Sequence, residues 1–201
     1  GLGDVYKRQV VRGAEKALIV ADLPFMSYQI ELTQAISNAA RLVQEGGANA
    51  VKLEGGQGVA DIVRNLVDFG IPVMGHIGLT PQSINQLGGY SIQGKEVDAA
   101  NRLVQDALSL EKAGAFALVL ELIPSSLAQT ITSQISIPTI GIGAGPYCDG
   151  QVQVFHDMFG FSQDAPPRHA RQYADLGKVV TESISTYIEE VENGSFGPNP
   201  P

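Results

Sequence analysis

Glu121 ends an apolar run, "AFALVLELIPSS" (115–126), behind Phe116, Leu118, Val119 and Leu120 and just ahead of Pro124. A carboxylate in such a place is costly unless something pairs with it or uses it. An apolar flank also tunes a carboxylate toward the proton affinity that a general base needs. The pattern recurs: Asp22 closes "ALIVAD" (17–22), Glu54 lies near the end of "NAVKLEG" (49–55), and His76 near the end of "IPVMGHIG" (71–78). Asp22 and Glu54 are hard oxygen donors of the kind Mg²⁺ takes, one or two carboxylates sufficing beside waters and substrate oxygens. Either alone also reads as a helix cap or a surface group, and it is their joint placement that points to a metal. Lys52 precedes Glu54 by two residues, so on a strand both share a face. Lys52 can neutralise Glu54 or bind a substrate carboxylate, and the two roles are compatible. His76, flanked by Gly75 and Gly78, reads either as a structural histidine or as a hydrogen-bonding group for a closely approaching ligand. His156 and His169 are weaker candidates. Three histidines and one cysteine without ligand spacing disfavour zinc.

The elements that must position these groups alternate along the chain. Short β-rich runs are the three just quoted together with "FALVLE" (116–121), "IPTIGIG" (137–143) and, as a sixth candidate, "QVQVFHD" (151–157). Amphipathic stretches separate them at 31–47, 59–70, 98–114 and 125–135, the first three closing on glycine as helices do. In the first, Leu32, Ile36, Ala39, Ala40 and Val43 fall on one side. This order means a parallel sheet with helices outside, and runs that are apolar rather than alternating suit strands buried on both faces. A doubly wound sheet and a (β/α) barrel both fit. Polar residues at the C-terminal end of strand after strand favour the barrel, which gathers all those ends around one mouth, whereas an open doubly wound sheet uses only those beside its switch point. Six runs are found, about two short of a closed barrel. The glycine segments "EGGQG" (54–58) and "GIGAG" (141–145) do not fit a dinucleotide fingerprint and read as tight turns at the rim.

The totals bound the function. At 201 residues, 44% hydrophobic and 17% charged, the chain is an ordinary globular one. Its net charge of −8, without a Lys/Arg cluster, argues against nucleic acid and anionic membranes as partners. No apolar run approaches the roughly 20 residues of a membrane span, and the first residues lack the apolar region of a signal peptide. The single cysteine, Cys148, excludes an internal disulfide, fits a cytoplasmic location, and reads as a small buried or loop residue rather than a nucleophile. The leader "GLGDVYKRQ" (1–9) shows no clear helical or strand period and reads as non-native or disordered, ahead of one catalytic domain over 10–196 and a tail over 197–201.

Six ordered motifs carry a family resemblance: "ADLPFMSY" (21–28), "VKLEGG" (51–56), "GHIGLTPQS" (75–83), "LGGYSIQGK" (87–95), "LVLELIP" (118–124) and "IGIGAGPYCDGQVQVFHDMFG" (140–160). From about Val10 to about Phe196 the chain resembles ketopantoate hydroxymethyltransferases. The resemblance implies a (β/α)8 TIM barrel of the phosphoenolpyruvate mutase type and a cytoplasmic homo-oligomer, a decamer by family likeness. It implies transfer of a hydroxymethyl group from 5,10-methylenetetrahydrofolate to 2-oxoisovalerate, giving ketopantoate on the way to pantothenate and coenzyme A. It implies Mg²⁺, with the family's ligands falling on Asp22 and Glu54, its substrate-binding lysine on Lys52, its proton acceptor on Glu121, and His76 near the substrate. Asp22 is also implied as a substrate-binding residue, with Lys52 and His76. No folate-contacting residue is assigned.

The resemblance also has a departure. The family places two further βα units before Val10, the second ending in a Gly-Asp-Ser motif that supplies another metal-binding aspartate and a substrate-binding serine. The expectation is therefore a partial barrel of strands three to eight, with open strand edges, a thinner metal shell, and doubtful activity. Two alternatives stand beside the transferase: a Mg²⁺-dependent lyase of the same barrel superfamily, whose cysteine-containing loop is not evident here, and a non-catalytic assembly remnant.

Overall fold

The computed structural model describes residues 2–162 and 167–197. The chain divides into two compact units, Gly1–Gln151 and Val152–Pro201. Gly1 of the leader and residues 198–201 of the expected tail lie outside the described residues.

The first unit opens with helix α1 (Leu2–Gly13), which covers the leader that carried no clear period. It then alternates β1 (Val20–Asp22), α2 (Leu32–Gln44), β2 (Ala50–Glu54), α3 (Ala60–Asp68), β3 (Val73–Gly78), the short α4 (Ile84–Leu87), α5 (Val97–Lys112), β4 (Ala117–Glu121), α6 (Ser125–Gln134), β5 (Thr139–Ile142) and β6 (Gly150–Gln151). Short 3-10 turns at Gln57–Val59 and Pro81–Ser83 follow β2 and β3. Among the described residues the strands form one parallel sheet in the order β1-β2-β3-β4-β5-β6. That order never reverses, so there is no switch point, and the sheet is a partial barrel rather than a doubly wound one. β1 and β6 do not pair with each other.

The two faces of the strands do different jobs, as the strand period of two requires. Val51 and Leu53 of β2, Val73 and Ile77 of β3, and Leu118 and Leu120 of β4 are buried in one cluster with helix residues such as Ala39, Leu66, Leu110 and Ile131. Each fully buried aliphatic side chain of this kind contributes about 1.5–3 kcal/mol by leaving water. The alternate positions, Asp22, Lys52, Glu54, His76 and Glu121, therefore lie on the opposite, interior face. Gly75 permits the close approach of α5, since a Cβ there would stand 2.9 Å from Leu110 Cδ1. In α2 the buried residues are Ala35, Ala39 and Leu42, while Leu32 is 38% exposed. The apolar face is thus turned slightly from the expected one, small alanines letting the helix lie close to the sheet.

The sixth strand is a correction. The expected strand at 151–157 is only Gly150–Gln151, and Phe155–Phe159 is helix α7. The Val152/Val154 alternation looks like a strand, but both residues are about half exposed and have no ladder beside them. Asp157 and Met158 donate to the Val154 carbonyl, which starts the helix, and Gly160 ends it in a left-handed conformation. The second unit also holds α8 (Leu176–Glu192), where no element was expected, started by Asp175 accepting from the Lys178 N–H. Both glycine segments turn away from strand ends, as expected of rim turns.

Candidate active site

Parallel register brings the strand-end polar groups to adjoining positions. Asp22 is level with Lys52, Glu54 with His76, and Gly78 with Glu121. A Cβ on Gly78 would stand 2.2 Å from the Glu121 carbonyl oxygen, and its φ of +93° is one few other residues adopt. That close approach is what seats the end of β4 beside the end of β3. Leu122, directly after Glu121, has φ +46°, a costly conformation for a side-chain-bearing residue that tends to occur at functional sites. Backbone hydrogen bonds from Leu122 N–H to Ile142 and from Gln93 N–H to Leu122 hold it there.

The five side chains singled out in the sequence form one connected chain of contacts. Lys52 Nζ lies 2.6 Å from Asp22 Oδ1 and 3.3 Å from His76 Nδ1. His76 Nδ1 is 3.7 Å from Glu54 Oε1, and His76 Nε2 is 3.1 Å from Glu121 Oε2. An ammonium can only donate, so His76 Nδ1 accepts from Lys52 and the ring proton sits on Nε2, facing Glu121. That Nε2 is buried and points off the line of a good hydrogen bond to Glu121, so it keeps donor capacity that a ligand oxygen could use. Burial deepens along the chain: the Asp22 side chain is 56% exposed, while those of Glu54 and His76 are 5% and 4%.

Burial pushes the Glu54 carboxyl above the ordinary range. The Gln82 N–H and the neighbouring Lys52 ammonium oppose that shift, and Asp22 adds to it. Tyr28 and Gln82, which sequence reasoning did not single out, complete the surroundings of Glu54. The Tyr28 hydroxyl donates to the Glu54 carbonyl at 3.0 Å and accepts from its N–H at 3.1 Å. Burial pushes this phenol up to about 12, against the lowering effect of its bond with the Glu54 backbone. A tyrosine among hydrophobic neighbours needs a partner for its hydroxyl, and "PFMSY" (24–28) held that weak signal.

The remaining candidates are elsewhere. Cys148 is half-buried in the β5–β6 turn, and burial raises its thiol. In the second unit, His156 packs edge-on to Phe155 and Phe161, and His169 is exposed in a turn.

Among the described residues no three or more His, Cys, Asp or Glu gather as a metal cage. A cation here would rest on Asp22 and Glu54, two carboxylates on neighbouring strands, with waters and substrate oxygens completing its shell. That donor set suits Mg²⁺, which takes oxygen ligands and keeps waters. Chemically, the site joins a carboxylate pair for a hard cation, an ammonium for an anion, and a buried carboxylate–imidazole pair for proton transfer.

Known proteins resemble this chain in sequence and in fold. The ketopantoate hydroxymethyltransferase family model matches residues 5–199. A 3-methyl-2-oxobutanoate hydroxymethyltransferase of Dehalococcoides mccartyi is 60% identical over 189 residues, covering 94% of this chain and 68% of that protein. One from Clostridium beijerinckii is 56% identical over 191 residues, covering 95% of this chain and 70% of that protein. Among solved structures, a Burkholderia cenocepacia protein assigned as a phosphonomutase aligns with a TM-score of 0.59 at 11% identity, over 94% of this chain and 77% of that one. A phosphonopyruvate hydrolase aligns at 0.52 and 12% identity, over 94% of this chain and 65% of that one. At such identities these two structures speak to the fold alone.

Proposed function

The chain belongs to the ketopantoate hydroxymethyltransferase family, and from that premise we propose that it converts 2-oxoisovalerate to ketopantoate with the one-carbon unit of 5,10-methylenetetrahydrofolate. The observation that carries the reading is the unbroken run of contacts Asp22–Lys52–His76–Glu121 across four neighbouring strand ends.

The reaction has to take the C3 proton of a 2-oxo acid, hold the negative charge that results, and let C3 attack the methylene carbon. Both C–N bonds of the folate methylene must break, one as C3 bonds to that carbon and the other as water supplies the hydroxyl, and the C3 proton and the remaining hydrogen of water end on the two freed folate nitrogens. Glu121 Oε2 is the proton acceptor. His76 Nε2 lies 3.1 Å away and offers its N–H to a substrate oxygen beside that carboxylate. The Lys52 ammonium, held between Asp22 and His76, binds the substrate carboxylate. Mg²⁺, held by Asp22 and Glu54, would supply the Lewis acidity that stabilises charge on the substrate's keto oxygen. The proposed setting is the cytoplasm, and the proposed assembly a homo-oligomer. Among the described residues no helix is long and apolar enough to cross a membrane.

The test is to incubate the purified chain with 2-oxoisovalerate and Mg²⁺ in D₂O and follow the C3 hydrogen by proton NMR. Methylenetetrahydrofolate is then added and the product identified. Exchange followed by ketopantoate formation supports the reading. Absence of both, in a folded sample, overturns it.

A further inference from the structure

Asp22 and Glu54 stand on different strands, and one loop residue ties the ends of both strands together. Gln82 lies in the Pro81–Ser83 turn after β3. Its backbone N–H donates to Glu54 Oε2 at 2.9 Å. Its side-chain Nε2 donates at 2.9 Å to the carbonyl of Leu23, the residue directly after Asp22. Its Oε1 lies 3.2 Å from the Tyr28 hydroxyl, which also grips the Glu54 backbone. Tyr28 and Leu23 are 1% and 0% exposed, so the half-buried Gln82 is anchored on core residues.

We propose that Gln82, buttressed by Tyr28, is a positioning residue that holds the Asp22 and Glu54 carboxylates at the spacing a divalent cation needs. The inference rests on the Mg²⁺ assignment above. Gln82 acts through its neighbours: by occupying Glu54 Oε2 it sets the rotation of a carboxylate whose terminal torsion is otherwise broad. It leaves Oε1 turned toward His76. By holding the Leu23 carbonyl it fixes the chain immediately beyond Asp22. Loss of an outer residue of this kind typically costs about 10- to 100-fold in metal affinity.

The experiment is a calorimetric titration of the purified chain with MgCl₂, beside thermal unfolding of the same samples. Gln82→Met keeps the side-chain length, removes both side-chain hydrogen bonds, and retains the backbone N–H. Tyr28→Phe removes only the hydroxyl. Mg²⁺ affinity should fall about 10- to 100-fold in Gln82→Met and by a smaller factor in Tyr28→Phe. In both, exchange of the substrate C3 hydrogen should recover toward the unsubstituted rate at saturating Mg²⁺, a split that general loosening of the fold would not produce. Unchanged Mg²⁺ affinity in folded Gln82→Met overturns the inference and leaves the Mg²⁺ assignment standing. If Gln82→Met does not fold, Tyr28→Phe decides by the same criterion. If the unsubstituted chain binds no Mg²⁺, the metal assignment falls and takes this inference with it.

Discussion

His76 Nε2 lies 3.1 Å from Glu121 Oε2, with the two side chains only 4% and 12% exposed. The other nitrogen of the same ring lies 3.3 Å from Lys52 Nζ. One imidazole thus separates a cation suited to holding an anionic substrate from the carboxylate suited to taking its proton.

Glu121→Gln keeps the shape of the side chain and removes its capacity to accept a proton. Exchange of the C3 hydrogen of 2-oxoisovalerate should drop by about 10²- to 10⁴-fold. Proton NMR in D₂O reads the rate directly, and exchange at the unsubstituted rate would remove Glu121 from the base role.

Asp22→Ala and Glu54→Ala each delete a carboxylate from the proposed cation site. Each should weaken Mg²⁺ binding at least about tenfold, since outer partners alone are worth that much. Glu54→Ala should also cost stability, because it strands the Gln82 N–H that the carboxylate now satisfies. Calorimetry with MgCl₂ measures the first effect and urea unfolding the second. Unchanged Mg²⁺ affinity in both variants would sink the metal assignment.

Gly78→Ala forces a Cβ to 2.2 Å from the Glu121 carbonyl oxygen at a backbone φ of +93°. The expected loss is roughly 2 kcal/mol of stability, accompanied by loss of exchange activity as the end of β4 shifts. An unfolding midpoint equal to that of the unsubstituted chain would show that β3 and β4 can part at no cost.

Glu111, on α5, accepts at one oxygen from both the hydroxyl and the backbone N–H of Ser136. These bonds, the hydroxyl's first, hold its carboxyl below the ordinary 4.5. A carboxyl lowered in the folded state stabilises it at pH above the unfolded value, and that contribution is lost as pH falls through the folded value. The unsubstituted chain should therefore lose more stability between about pH 6 and about pH 3 than Glu111→Gln does. Urea melts of both proteins at the two pH values decide it, and equal losses would mean that Glu111 has no part in the acid response.

The strand ends were legible because a parallel strand buried on both faces is an apolar run, and a polar residue at its end breaks that texture. Asp22, Glu54, His76 and Glu121 were all found this way. Val152 and Val154 show the limit of the signal: their alternation matches a strand, yet no neighbouring ladder receives them and the chain turns into α7. Tyr28 and Gln82 were not legible. Their hydrogen bonds join residues 26 and 54 positions apart, and nothing in either local stretch announces the partner. Helix α8 went unread although Val180, Ile184, Ile188 and Val191 recur at helical spacing.

By itself, the sequence determined the alternation of strands and helices, the family, and the residue types available at the ends of the strands. Hydrophobic period and glycine stops act over a few residues, so they are complete in any short stretch of chain. Only the tertiary structure decided which of those groups touch. Parallel register sets Asp22 beside Lys52 and Glu54 beside His76, and the close passage at Gly78 seats Glu121 against the ring. Those distances depend on how whole strands slide past one another, a quantity settled by the packing of α2, α3, α5 and α6 on the far side of the sheet.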